Sequence, residues 1–149
     1  MSLDVVEFKI EHLDIIRQKS VFNSKALVRE KIEKLATLPY CHIATIMDGD
    51  NPLAILGIIN HRPGFGEAWS ITSEDVKKKP IAFHKAVLSL MSYFETYLSI
   101  CRLQIDVKES FSEGIRWAES LGFECEGLMK HYDVDGSNHY LYARVTEYG

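Results

Sequence analysis

Lys77, Lys78 and Lys79 stand side by side immediately before Pro80, and Pro is well suited to the first position of a helix. The first N–H groups of a helix have no partner inside it, and together with the helix dipole they favour an anion. Three cations at that end oppose the dipole by roughly 0.3–1 kcal/mol each, unless a docked phosphate turns the repulsion into attraction. The alternative is a solvated charge run, partly neutralised by Glu74 and Asp75 beside it. The six histidines, His12, His42, His61, His84, His131 and His139, show no HExxH or other paired spacing, so no metal site is expected. Asp133 to Asn138 has a faint likeness to a calcium loop but lacks its ligand spacing and closing Glu, and reads as a hairpin turn. Cys41, Cys101 and Cys125 are widely spaced without a CxxC pair and read as reduced thiols. There is no nucleophile-elbow, phosphate-loop or dinucleotide-binding pattern.

The elements that must position these residues are legible from periodicity. Val5 to Ile10 reads as a strand and Glu11 to Lys19 as a short helix. Ser24 to Leu38 reads as a helix with Val28, Ile32 and Leu35 on one face, Asn23 or Ser24 as its cap, and Pro39 as its stop. Tyr40 to Met47, Leu53 to Asn60 and Phe65 to Thr72 read as strands, divided by turns at Asp48–Asn51 and Arg62–Gly64. The middle one is nearly all apolar, as for a strand buried on both faces. Phe83, Val87, Leu90, Phe94 and Tyr97 give a long helix from Pro80 its apolar stripe. Arg102 to Val107 alternates like a half-buried strand. Phe111, Ile115, Ala118 and Leu121 share one helical face, and Gly122 ends that helix. The runs Gly127–Val134 and Ser137–Val145 flank Asp135-Gly136, a dipeptide suited to a tight hairpin.

With 149 residues, 46% hydrophobic and 26% charged, the chain has the make-up of an ordinary globular protein and is expected to form a single domain over 1–149. A net charge of −4 argues against non-specific nucleic-acid binding. No apolar run suits a membrane span, and the acidic N-terminus does not read as a signal peptide, so a cytoplasmic setting is expected.

Trp117-Ala118-Glu119-Ser120-Leu121-Gly122-Phe123-Glu124-Cys125-Glu126-Gly127, closed by Tyr142-Ala143-Arg144-Val145, resembles the C-terminal half of the GCN5-related N-acetyltransferases. The element order β-α-α-β-β-β-α-β-α-β-β matches that fold along nearly the whole chain. The resemblance implies an α/β fold: a mixed, mostly antiparallel sheet of about seven strands flanked by helices, whose parallel fourth and fifth strands splay apart. Acetyl-coenzyme A would enter that gap as co-substrate, its pyrophosphate on the N–H groups that open the next helix. Ala68 to Val76, with Phe83-His84-Lys85, is also similar to a group of small bacteriophage proteins of this fold, some of them minor internal virion components.

The family resemblance assigns roles. Lys77, Lys78, Lys79, Ile81 and Ala82 would surround the pyrophosphate, but Pro80 replaces a glycine there and offers no N–H. Backbone groups around Ser70, Ile71 and Thr72 would polarise the acetyl carbonyl, as an oxyanion hole does. Glu67 would be the general base that frees the amine, a role suited to a half-buried carboxylate. The family's usual acid, a helix tyrosine, is replaced by Ala118 beside Trp117, and Phe111 stands where an asparagine is usual. Tyr132, Ser110 or Ser112 would then protonate the leaving thiolate. His61 follows the third strand near the expected acceptor groove, and Val21–Lys25 and Arg62–Gly66 would form the acceptor loops.

Three readings follow: an N-acetyltransferase acting on a small-molecule or protein amine, a non-catalytic virion or host-interaction protein, and a coenzyme A sensor. The final strand, if exposed, could also pair with a second copy as a homodimer.

Overall fold

The computed structural model describes residues 3–18 and 25–146. In chain order the elements are β1 (Asp4–Glu7), α1 (Ile10–Gln18), α2 (Lys25–Ala36), β2 (Cys41–Asp48), β3 (Asn51–Arg62), β4 (Phe65–Thr72), a 3-10 helix (Glu74–Lys78), α3 (Pro80–Tyr97), β5 (Arg102–Lys108), α4 (Ser112–Ser120), β6 (Glu124–Met129) and β7 (His139–Val145). The strands form one seven-stranded sheet in the order β1-β2-β3-β4-β5-β7-β6. It is mostly antiparallel, and β4 and β5 pair in parallel. The expected α/β architecture and element order are therefore present. The proposed cap residues Asn23 and Ser24, and Val21 to Ser24 of the first acceptor loop, lie outside the described residues.

Two compact units divide the chain, Met1–Ile59 with Trp69–Phe94, and Asn60–Ala68 with Glu95–Gly149. In the first, β3 is buried on both faces as its composition predicts, with Leu53, Ala54 and Ile55 at most 1% exposed. Leu13, Ile16, Ile32 and Ile55 form a core cluster, against which Phe8, Ile10, Ile43, Trp69 and Ile71 pack. The stripe on α3 is real at Phe83, Val87, Leu90 and Phe94, but Tyr97, the last residue of the helix, is 65% exposed. The first strand stops at Glu7 rather than Ile10, because Ile10 is drawn into α1 and its apolar cluster.

In the second unit, the two-residue turn Pro63–Gly64 joins β3 to β4. Pro supplies the fixed φ of the first turn position, and Gly64 takes φ +85 at the second, where a Cβ would be strained. The Gly64 carbonyl then accepts hydrogen bonds from the N–H groups of Cys101 (2.8 Å) and Arg102 (2.9 Å), which sets the start of β5 beside β4. Arg144 on β7 donates to both carboxylate oxygens of Glu95 (3.2 and 3.1 Å) and to the Leu121 carbonyl at the end of α4 (2.6 Å).

Two sequence expectations are corrected here. The hairpin of β6 and β7 is not tight: its last pair is Met129 with His139, and residues 130–138 form the connection. The turn chemistry of Asp135-Gly136 still operates at the tip, where Gly136 has φ +81 and donates to the Asp133 carbonyl (2.9 Å). The strands end early because Tyr132 and Asp133 bond across to Ser137, closing a loop rather than extending the ladder. The final strand is also not a free edge. β7 is paired on one side with β5 and on the other with β6, so the premise for dimerisation through it is absent. No described helix is long and apolar enough to cross a membrane.

Candidate functional site

The lysine run belongs to the first unit. Strand β4 ends at Thr72 and hands the chain to Ser73, which is 1% exposed. The Ser73 N–H donates to the Leu53 carbonyl (2.8 Å), and its hydroxyl accepts from the Asp75 N–H (3.1 Å), which caps the 3-10 helix. The segment expected as a loop is thus one helical turn that leads into α3. At the start of α3, Pro80 has no N–H and the Phe83 N–H donates to the Lys79 carbonyl (2.9 Å). The amides of Ile81 and Ala82 stand at the open end of the helix, where no intrahelical acceptor exists for them, and Ile81 is 72% exposed.

Each lysine of the run meets a carboxylate: Lys77 pairs with Glu74 (3.0 Å), Lys78 with Asp75 (3.2 Å) and Lys79 with Asp48 (2.8 Å). The neutralisation foreseen for Glu74 and Asp75 is realised, and Asp48, the last residue of β2, completes it. Exposed pairs of this kind contribute about 0.2–1 kcal/mol, so a phosphate group could compete for these lysines. Two free amides and three displaceable lysines fit a phosphate-bearing ligand with fewer backbone donors than a glycine-rich loop supplies.

Along β4 the side chains alternate. Ile71 packs with Trp69 on the core cluster, so only its backbone can serve chemistry, whereas Ser70 is exposed and Thr72 half-buried.

The second unit holds the carboxylate. The parallel ladder of β4 and β5 covers Phe65, Gly66 and Glu67 opposite Arg102, Leu103 and Gln104, and it ends at the Glu67 pair. Glu67 Oε1 lies 3.0 Å from His61 Nε2 at the end of β3. The His61 ring leans on Phe65 (centroids 5.1 Å apart), and the Arg62 guanidinium lies over that same phenyl ring at 5.0 Å. The short Pro63–Gly64 turn brings these four residues together, an association that sequence spacing alone does not reveal.

Tyr132 lies in the loop after β6, not in a strand, and is 48% exposed. Partial burial, then the negative charges of Asp106, Glu67 and Asp133, push its phenol above the usual tyrosine value. Glu67 and Tyr132 therefore fall within electrostatic reach of one another. Such a phenol stays protonated at neutral pH, the form a proton donor needs.

Sequence reasoning passed over His139 and Asp106. His139 is 9% exposed, its Nδ1 2.8 Å from Asp106 Oδ1. Asp133 Oδ2 sits 3.4 Å from its Nε2, close enough for an ion pair but without hydrogen-bond geometry, and the Tyr132 ring centroid is 5.3 Å away. The signal available was register: His139 and Asp106 stand diagonally across the β5–β7 ladder. Ser110 and Ser112 are exposed at the start of α4, while Ala118, where the family's acid would stand, is 1% exposed in the core. Among the described residues no cluster of His, Cys, Asp or Glu suits a metal ion, and Cys41, Cys101 and Cys125 are free.

No protein-family model matches the chain, and no curated protein sequence matches it. Solved structures do. The acetyl transferase that modifies the N-terminal serine of 50S ribosomal subunit protein L7/L12 from Salmonella typhimurium superposes with a TM-score of 0.80 at 17% identity, over 99% of this chain and 96% of that one. A ribosomal L7/L12 alpha-N-protein acetyltransferase in complex with coenzyme A gives 0.78 at 16% identity, over 99% and 96%. A chimera of the spermidine N-acetyltransferase from Vibrio cholerae gives 0.78 at 12% identity, over 97% and 96%. With the mixed seven-stranded sheet, the short parallel β4–β5 ladder and the helix that opens after β4, these superpositions show that the chain has the fold of the GCN5-related N-acetyltransferases.

Proposed function

We propose that this chain, acting as one domain, is an N-acetyltransferase that moves an acetyl group from acetyl-coenzyme A to an amine by direct attack in a ternary complex. The observation that carries this reading is Glu67, a half-buried carboxylate at the last residue pair of the β4–β5 ladder, held by His61. Acetyl-coenzyme A would supply a thioester-activated acetyl group. Ile81 and Ala82 would offer amides to its pyrophosphate, with Lys77, Lys78 and Lys79 turning from Glu74, Asp75 and Asp48 to neutralise it. Backbone N–H groups of Ser70 to Thr72 would stabilise negative charge on the acetyl oxygen. A base centred on Glu67 takes a proton from the acceptor ammonium, and Tyr132 donates one to the leaving sulfur. Serine-terminated peptides and polyamines, the acceptors of the structurally similar enzymes, are the first amines to test. On this reading the chain works in the cytoplasm, in reach of acetyl-coenzyme A.

Specific observations favour a second reading, a phage virion or host-interaction protein that has kept the fold without the reaction. Pro80 removes a backbone donor, all three lysines are paired, and Ala118 is buried where the family's acid stands. Calorimetric titration with acetyl-coenzyme A at physiological salt separates the two. Micromolar binding, weakened in 3′-dephospho-coenzyme A if the lysines reach the 3′-phosphate, is expected for the enzyme. Absence of binding at millimolar ligand would overturn the acetyl-transfer reading.

A further inference from the structure

Acetyl transfer from a thioester to an ammonium releases one net proton per turnover, because an ammonium enters while a neutral amide and a neutral thiol leave. Some group must take that proton and pass it to water. We propose, on the acetyl-transfer reading above, that the atom taking it is Nδ1 of His61, with Glu67 as the residue that positions and charges the imidazole.

The geometry supports this division of labour. A carboxylate can only accept, so the 3.0 Å contact between Glu67 Oε1 and His61 Nε2 places a hydrogen on Nε2 and leaves the lone pair on Nδ1. Phe65 lies against one side of the imidazole at 5.1 Å, and Arg62 over Phe65 braces it, so the ring orientation is fixed by packing as well as by the hydrogen bond. When Nδ1 takes a proton, the Glu67 carboxylate faces an imidazolium and balances its charge, the relation that carboxylate and histidine hold in hydrolytic triads. An imidazole ring nitrogen is the commonest proton acceptor in general-base catalysis. His61 is also the more exposed of the two, 40% against 24% for the side chains, so the proton it holds can leave to solvent. The step balances: one ammonium N–H bond breaks as the Nδ1–H bond forms, the freed amine forms the C–N bond as the C–S bond breaks, the leaving sulfur takes the Tyr132 proton, the second amine proton lost on forming the amide restores the Tyr132 phenol, and the imidazolium loses its proton to water.

The test measures thiol release from acetyl-coenzyme A with spermidine and with a serine-terminated peptide, using the full chain and circular dichroism to confirm folding of each variant. In His61→Gln, the amide still donates to Glu67 but cannot take a proton. In Glu67→Gln, the imidazole keeps an acceptor but loses the charge. His61→Gln is expected to lower kcat by about tenfold or more, with the KM for acetyl-coenzyme A nearly unchanged and a larger loss than in Glu67→Gln. Added imidazole should restore turnover in His61→Ala. If Glu67→Gln is the more damaging and His61→Gln turns over like the parent, Glu67 is the base alone and the proposal is overturned. If the parent binds no acetyl-coenzyme A at millimolar concentration, the acetyl-transfer reading itself is overturned, and the proposal falls with it.

Discussion

At the scale of single residues, what matters is which atoms a side chain forces its neighbours to accommodate. Gly57 on β3 is a case outside the reaction. A Cβ there would lie 2.3 Å from Trp69 Cε2 and Cζ2 and 2.6 Å from its Nε1, so the indole occupies the space a side chain would need. Trp69 cannot yield cheaply, because it packs, like Ile71, on the core cluster. Gly57→Ala should therefore cost about 1–3 kcal/mol, as overpacking of a filled core does. Urea denaturation would read this, and the cost should shrink when Trp69→Leu is added, because the two changes share one space. Glu67 and Lys77 to Ala82 were legible as candidates from residue type and resemblance. Their partners Asp48 and His61 were not, because each is brought in by a turn whose closure no spacing rule states.

At the scale of elements, α1 is held to β2 by His12. Its Nδ1 accepts from the Lys9 N–H (3.2 Å) at the start of the helix and faces the Thr45 hydroxyl at 2.8 Å, with Thr45 fully buried. The contact with the Lys9 N–H needs Nδ1 without a proton, because an amide N–H can only donate. Burial first, then the Lys9 charge, lowers the His12 pKa from its ordinary value of 6.5. The sign follows: a histidine whose folded pKa lies below its unfolded one contributes stability above the unfolded value, and that stability is lost as pH falls below it. Urea midpoints should therefore drop between about pH 7.5 and pH 5.5, and His12→Gln should show a smaller drop. An equal drop in both would remove His12 as its source. Element types and order were read correctly because apolar periodicity and Gly or Pro breaks are local signals. Boundaries were less secure: competition for Ile10 shortened β1, and bonds from Tyr132 and Asp133 to Ser137 shortened β6.

At the scale of the whole molecule, the sheet order decides which strands tolerate change. Ala143 on β7 is 3% exposed and stands opposite Gln104 on one side and Glu124 on the other. Proline there removes a ladder donor and wedges a ring into an interior strand, so Ala143→Pro should abolish the folded far-ultraviolet circular dichroism signal, whereas Val134→Pro at the fully exposed loop tip should leave it nearly intact. A folded Ala143→Pro would contradict the strand order. By itself the sequence determined the fold class, the element order and the buried stripe on α3, and it nominated the α3 start, Glu67 and Tyr132 as site candidates, since each rests on local periodicity, residue chemistry or family resemblance. Only the tertiary structure decided that β7 is interior, that the lysines meet Asp48, Glu74 and Asp75, and that His61 holds Glu67 while His139 sits between Asp106 and Asp133. These are outcomes of register and turn closure between segments distant in the chain, where the energy of a contact depends on geometry that one-dimensional spacing does not carry.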